Sequence, residues 1–164
     1  MKMNRMKKFF PTFILLCALC ACSSPDDDED NGKDMSYPVI NTTDIVAVPT
    51  DCQVFKRGDV IPLHFLFTDN MELGAYNIEI HNNFDHHTHG TSSVECPMDA
   101  KKQAVKPWIY NCDFQIPAGL KRYEARFDIA IPDTIDAGDY HFMVRLTDHA
   151  GWQQLHAVAI KITE

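Results

Sequence analysis

The chain has 164 residues, enough for one domain of ordinary size and too few for two separate cores. It carries 23 acidic and 15 basic side chains, a formal net charge of −8. This charge argues against sequence-independent binding of nucleic acid, which needs a basic surface to displace counterions from phosphates. The bases are unevenly spread, because four of them precede the first apolar run and leave 15 − 4 = 11 bases against 23 acids behind it.

The first 21 residues have the pattern of a signal peptide. A basic start precedes the apolar run Phe9 to Leu19, which is too short for a comfortable membrane span. The segment ends in Leu-Cys-Ala-Cys at Cys22, which resembles a bacterial lipobox. Cys20 is the poorer acceptor, because a leucine precedes it where a small residue is needed. We therefore predict a lipoprotein signal peptide over residues 1–21 and lipidation of Cys22, with an ordinary secretory signal as the alternative.

An acidic block follows the predicted lipidation site. Residues 26–30 are five consecutive acids, which repel one another and cannot pack. We therefore predict a disordered acidic linker over residues 22–36. An acidic run in this place resembles the export signal of surface lipoproteins of the Bacteroidota, which implies an outer-membrane protein that faces outward. The alternative is a spacer without a sorting role, in which case the domain can instead face the periplasm. Both the periplasm and the cell surface are oxidising enough for disulfides.

Residues 37–164 have the pattern of an all-β domain. Apolar residues alternate with polar ones in strand-length runs that end at Pro, Gly, Asn or Asp. The predicted strands lie at 60–68, 73–82, 122–131, 139–148 and 154–163, with one more near 108–116. No amphipathic helical pattern separates them, so the sequence predicts an antiparallel β-sandwich of two sheets.

One local motif narrows the topology to an immunoglobulin-like sandwich. The segment Asp136 to Tyr140 reads Asp-x-Gly-x-Tyr, the pattern of the tyrosine corner that opens strand F of immunoglobulin domains. Phe142 stands where antibody domains have a cysteine, so the intersheet disulfide of antibodies is absent. The predicted strands then become B, C, E, F and G in chain order.

Three cysteines remain behind the predicted lipidation site, namely Cys52, Cys96 and Cys112. Cys96 and Cys112 bracket the long connection between strands C and E. We therefore predict a Cys96–Cys112 disulfide, with Cys52 as a possible replacement for either partner.

A histidine cluster is the strongest chemical signal in the sequence. Four of the eight histidines lie between residues 81 and 89, and imidazole is the commonest neutral metal ligand. In an extended segment Asp85, His87 and His89 point the same way, with alternate positions about 7 Å apart. His81 and His141 face outward on the neighbouring strands C and F. The predicted ligands of zinc or another transition metal are His81, Asp85, His87, His89 and His141, with Asp85 as ligand or as orienter of a ligand.

Other interpretations of the same residues stay open. The histidine segment can be a solvated loop, with its asparagines and Asp85 forming a turn. Asp69 and Asp148 lie at strand ends where calcium can bind, although their surroundings are more typical of turns. Trp108, Tyr110 and Trp152 can form a sugar platform or belong to the core. The sequence has no glycine-rich phosphate loop and no Gly-x-Ser-x-Gly motif, so we predict a binding protein rather than an enzyme. An enzyme in which a metal with an open position activates water is a third alternative.

Four motifs resemble those of a known family. They are His81-Asn82-Asn83-Phe84-Asp85, His87-x-His89-Gly90, Ala137-Gly138-Asp139-Tyr140-His141-Phe142 and Thr147-Asp148-x-Ala150-Gly151. They resemble the lipoproteins grouped as domain of unknown function 4625, found in Bacteroidota. The resemblance implies an immunoglobulin-like fold and export as a lipoprotein, and it implies no activity.

The sequence as a whole predicts a lipid-anchored binding protein whose partners are the membrane and a metal ion or extracellular ligand. The alternative is an adhesion or carbohydrate-binding accessory protein without a metal.

Overall fold

The computed structural model of the protein describes residues 32–89 and 94–164. The predicted signal peptide, Cys22 and the acidic block lie outside these described residues, as does Gly90 of the second motif. Lys33–Glu164 forms one compact unit. No helix long and apolar enough to cross a membrane is found in the part of the chain that the structure describes.

Eight strands form two sheets. The three-stranded sheet has the order β1-β3-β6 and the five-stranded sheet has the order β2-β8-β7-β4-β5. The strands are β1 (Val39–Asn41), β2 (Gln53–Lys56), β3 (Val60–Thr68), β4 (Leu73–Asn82), β5 (Tyr110–Gln115), β6 (Arg122–Ala130), β7 (Gly138–Asp148) and β8 (Gln153–Thr163). All six predicted strands are confirmed, with ends that agree to within about two residues.

The core lies between the inward faces of the two sheets. On β3 the alternating residues Ile61, Leu63, Phe65 and Phe67 are fully buried, as the period-two pattern predicts. The ring of Phe65 stacks on that of Phe142 from the opposite sheet, with centroids 6.4 Å apart. The predicted apolar face of β3 thus supplies part of the contact that holds the two sheets together.

The strand order is that of an immunoglobulin-like sandwich. β3 and β6 correspond to strands B and E of one sheet, and β4, β7 and β8 to strands C, F and G of the other. The tyrosine corner is formed, because the Tyr140 hydroxyl donates to the Asp136 carbonyl at 2.6 Å and accepts from the Trp108 N–H at 3.3 Å. One detail differs from the prediction of purely antiparallel sheets, since β2 pairs with β8 in parallel.

The start of β4 passes unusually close to the end of β7. The register of the two strands shifts between Leu73 and Ala75, at a β-bulge that contains Gly74. A Cβ atom on Gly74 would lie 2.7 Å from the carbonyl oxygen of Asp148. Only glycine permits this approach, which brings the end of β7 beside the β3–β4 turn.

The disulfide differs from the predicted one. Cys52 pairs with Cys96, and Cys112 is the free cysteine among the described residues. Cys52 precedes β2 and Cys112 lies on β5, and these strands are the opposite edges of the five-stranded sheet. The two edges are separated by four strand spacings of about 4.8 Å, so Cys96 can reach only one of them. The segment that carries Cys96 runs towards β2, and this path has no periodic signal in the sequence.

The packed part of the chain begins before the predicted linker boundary at residue 36. Asp34 is buried, and its carbonyl accepts a hydrogen bond of 2.9 Å from the indole N–H of Trp152. The ring of Tyr37 meets Trp152 edge-on, with centroids 4.9 Å apart. These contacts fix the N-terminal segment against the turn between β7 and β8.

Candidate metal centre

His81 and His141 form a cross-strand pair on the outward face of the five-stranded sheet. The two residues are direct partners in the antiparallel pairing of β4 and β7, as the immunoglobulin topology predicts. Their ring centroids lie 5.5 Å apart. His141 is buried although it faces away from the core, because the segment after β4 covers it.

The segment after β4 folds back over this pair. The backbone N–H of Asn83 donates to the Asp139 carbonyl at 2.8 Å, and the N–H of His86 donates to the Asn83 carbonyl at 3.2 Å. His86 has a φ of 62°, the left-handed conformation that reverses the chain direction. The turn returns His87 and His89 to the sheet, where their rings lie beside that of His81.

Three imidazole nitrogens converge at this point. The Nε2 atom of His81 lies 3.2 Å from Nε2 of His87 and 3.0 Å from Nε2 of His89. Each of the three residues offers a nitrogen within 4.8 Å of the other two. A tetrahedral zinc ion with Zn–N bonds of 2.0–2.1 Å holds its ligand nitrogens about 3.4 Å apart. The two separations from His81 are therefore close to those that one such ion requires, and the separation between His87 and His89 is at most 4.8 Å.

Carboxylates lie beside Nδ1 of two of these rings. Nδ1 of His87 donates to Oδ1 of Asp85 at 2.6 Å, which leaves the lone pair on Nε2. Asp85 thus holds the ring of His87 by a hydrogen bond, and it is not part of the converging group. An oxygen of Glu79 lies 3.1 Å from Nδ1 of His81, although not along a hydrogen-bond direction. The sequence interpretation missed Glu79, and its position two residues before His81 on the same strand face was the available signal.

His141 does not join the converging group. Its Nε2 donates to the backbone carbonyl of His87 at 3.1 Å, so this nitrogen is occupied. The ring lies 4.5 Å from that of His89, between centroids, and closes the inner side of the triad. The prediction of His141 as a ligand is therefore not matched by this arrangement, in which the residue supports the loop that carries two members of the triad.

Burial favours the neutral form of His141, His81 and His89. Burial lowers the pKa of His141 to about 4, against a weaker opposite effect of its hydrogen bond to His87. Burial also lowers the pKa of His81, with Glu79 opposing and the nearby histidines adding to the shift. The pKa of His89 is lowered by burial and by His87. Neutral imidazole is the form that binds a metal, so burial of His81 and His89 favours the form that binding requires.

We expect acid to destabilise the metal-free fold through His141. Its folded pKa of about 4 lies below the unfolded value near 6.5, so the unfolded state binds more protons in between. The free energy of unfolding is therefore highest above pH 6.5, where His141 is neutral in both states. It should fall by about 3 kcal/mol as the pH is lowered to 4. Urea unfolding in chelator at pH 7, 6, 5 and 4 measures this loss. The variant His141→Gln, which keeps a donor for the His87 carbonyl, should lose about 3 kcal/mol less than wild type over this range, and parallel curves for the two proteins would contradict the assignment.

A cleft of about 720 Å³ opens beside the triad. His87, His89 and His141 line one side of it, and the Cys52–Cys96 disulfide lines another. The triad is thus accessible to ions and small molecules. The aromatic residues considered for a sugar platform do not line this cleft.

Those aromatic residues do not form one surface. Trp108 is buried near the tyrosine corner at the start of β7, and its ring contacts Tyr110 at 6.2 Å. Trp152 follows the far end of β7 and packs on Tyr37. β7 has 11 residues, about 36 Å of extended chain, so Trp152 lies at the opposite end of the domain. The core interpretation holds for Trp108, and Trp152 anchors the N-terminal segment.

Comparisons with known proteins identify the family of the chain and find a weak structural similarity to one solved protein. A comparison with curated proteins finds no match. Among solved structures, the chain is similar to self-complemented MyfA, the major subunit of Myf fimbriae from Yersinia enterocolitica, crystallised in complex with galactose. The identity is 19%, the TM-score is 0.39, and the match covers 79% of this chain and 100% of that one. The sequence pattern of the family described as Domain of unknown function (DUF4625) matches residues 20–163, and the chain belongs to this family.

Proposed function

We propose that the protein is a metal-binding module that holds one transition-metal ion through Nε2 of His81, His87 and His89. The observation that carries the proposal is the separation of 3.0 and 3.2 Å between these nitrogens, close to the spacing around a single zinc ion. The hydrogen bond from His87 to Asp85 supports it, because carboxylate partners commonly orient metal-binding histidines.

Zinc is the metal that the donor set favours. Three neutral imidazoles suit zinc, copper, nickel and iron, and we choose zinc because the two separations from His81 are close to those around a tetrahedral zinc ion. Three protein ligands leave a fourth position open, and two of the three, His87 and His89, line the cleft. Sites with an open position exchange their fourth ligand, so we propose reversible binding of the ion or of a small molecule through it.

We further propose that the module is a lipoprotein anchored through Cys22 to the outer membrane of a member of the Bacteroidota, with the domain outside the cell. The lipobox pattern at Cys22 and the acidic block at 26–30 support this placement. A metal-binding domain on such a tether meets ions before they enter the cell. The adhesion or carbohydrate-binding alternative predicts binding of glycans that is insensitive to chelator.

Zinc titration of the purified full-length chain tests the proposal. After treatment with chelator and its removal, calorimetry should report one zinc ion bound per chain, and metal analysis should recover the same stoichiometry. Zinc should also raise the melting temperature, because an ion that binds only the folded state stabilises it by RT ln(1 + [L]/Kd). A stoichiometry near zero under zinc-replete conditions would end the proposal.

We expect Asp85→Asn to weaken zinc binding without removing it. The amide cannot hold the proton-donating Nδ1 of His87 as strongly as the carboxylate does, so His87 loses orientation and basicity. The affinity should fall about 10–100-fold, the usual cost of removing such a partner. Competition with a chromophoric chelator measures it, and Asp133→Asn is the matched control because Asp133 is exposed on the β6–β7 connection. Equal affinity of Asp85→Asn and wild type would contradict the orienting role.

A further inference from the structure

Three carboxylates meet at the end of the domain opposite to the triad. Asp34 comes from the N-terminal segment, Asp69 from the turn after β3, and Asp148 from the end of β7. One oxygen from each lies within 4.8 Å of those of the other two. Asp148 is 3% exposed and Asp34 is 7% exposed, so two of the three groups are removed from solvent.

These carboxylates have no countercharge among residues 32–89 and 94–164. None of the ion pairs of the described chain includes Asp34, Asp69 or Asp148. Three neighbouring charges in a partly desolvated place repel one another and are costly to bury. The arrangement therefore favours a positively charged partner.

Two oxygen atoms of the cluster have no hydrogen-bond partner at all. Oδ2 of Asp148 and Oδ2 of Asp69 are sealed from solvent and unpartnered. The other oxygen of each is held in place, because Oδ1 of Asp148 accepts from the Trp152 N–H at 2.8 Å and Oδ1 of Asp69 accepts two backbone N–H bonds of 2.7 Å. A buried carboxylate oxygen without a partner is rare in folded proteins. These atoms are fixed in position, and each keeps lone pairs that no hydrogen bond uses.

We propose that Asp34, Asp69 and Asp148 bind a calcium ion. The donors are all oxygens, which a hard cation prefers, and calcium accepts several carboxylates at 2.3–2.6 Å in flexible geometry. Oxygens on opposite sides of such an ion are about 5 Å apart, which accommodates the 4.8 Å limit of this cluster. Magnesium spans only about 4.2 Å and keeps most of its waters, so it fits less well.

The proposed ion connects the N-terminal segment to the folded sandwich. Asp34 is the first buried acid of the chain after the acidic block, and the Trp152 indole already holds its carbonyl. With calcium bound, the carboxylate of Asp34 is fixed as well, so residues 34–37 are held against the β7–β8 turn. Without calcium, the three charges repel this segment.

This site is independent of the histidine triad. Asp148 lies seven residues after His141 on β7, about 23 Å along the strand. The donors also differ, since nitrogen ligands favour zinc and oxygen ligands favour calcium. A failure of one proposal therefore leaves the other intact.

Calcium titration of the zinc-free full-length chain tests the inference. After removal of calcium with a selective chelator, added calcium should bind with one high-affinity stoichiometric step and raise the melting temperature, and an equal concentration of magnesium should do less. Trp152 fluorescence should change in the same concentration range, because its indole contacts Asp34. Asp69→Asn, at the least buried of the three acids, should weaken calcium binding at least tenfold, and Asp133→Asn should leave it unchanged.

Two results would overturn the inference. The first is the absence of calcium binding up to about 10 mM, a concentration above the range of extracellular calcium modules, together with a higher melting temperature for Asp69→Asn. The substitution would then only relieve repulsion between the carboxylates. The second is calcium affinity that is unchanged in both Asp69→Asn and Asp34→Asn, which would place the ion elsewhere. If Asp69→Asn does not fold, Asp34→Asn decides alone, because Asp34 lies in the N-terminal segment outside both sheets.

Discussion

The double substitution His81→Ala, His89→Ala is expected to abolish zinc binding. It removes two of the three converging nitrogens and leaves only His87, which is on an exposed loop. A complete protein site binds zinc with an apparent 10–16 kcal/mol, or roughly 3 kcal/mol per ligand, so the affinity should fall by more than about a thousand-fold. Calorimetry with zinc and the zinc-dependent shift of the melting temperature both measure the loss.

Matched controls separate loss of the site from loss of the fold. His149→Ala removes an exposed histidine from the β7–β8 turn and should leave zinc affinity unchanged. In chelator, the double variant should unfold within about 1–2 kcal/mol of wild type, because both rings are only partly buried. Zinc affinity of the double variant within tenfold of wild type would show that the ion binds elsewhere.

Removal of the Cys52–Cys96 disulfide should cost about 4 kcal/mol of unfolding free energy. The bridge closes a loop of 44 residues, and in the chain-entropy model a loop of that size restricts the unfolded state by this amount. Cys52→Ser, Cys96→Ser should therefore unfold at a much lower urea concentration, and wild type in reductant should approach the variant. The loop between β4 and β5, which passes the cleft, is the part we expect to loosen first.

Cys112→Ser is the control for the bridge. Cys112 is a free thiol on the edge strand β5, so its replacement should cost less than about 1 kcal/mol. The order of the two costs decides which pairing exists. A large loss for Cys112→Ser together with a small loss for Cys52→Ser would restore the Cys96–Cys112 bridge that the spacing of the cysteines favours.

The strands were predictable from the sequence because their signal is local. Alternation on β3 and the turn residues at its ends follow directly from which side chains face the core. The pairing of His81 with His141 could also be predicted. The alternation of side chains along each strand, together with the tyrosine corner at Tyr140, places both residues on the same outward face.

The rest of the site depends on the path of irregular segments. The sequence does not reveal that the loop after β4 offers the His87 carbonyl to His141, and this contact alone turns a predicted ligand into a supporting residue. The disulfide was missed for the same reason, since the segment carrying Cys96 has no periodicity. The burial of Asp34 was hidden by its nearness to an acidic block that predicts disorder.

The converging nitrogens of the triad all come from nine consecutive residues, 81–89. Closing so short a loop costs little chain entropy compared with joining distant strands. Most of the ordering needed to assemble the three nitrogens is thus provided by one turn at the end of one strand. The histidine segment is therefore a compact unit of sequence that contains all three nitrogens. The sandwich mainly supplies the rigid sheet against which this segment packs.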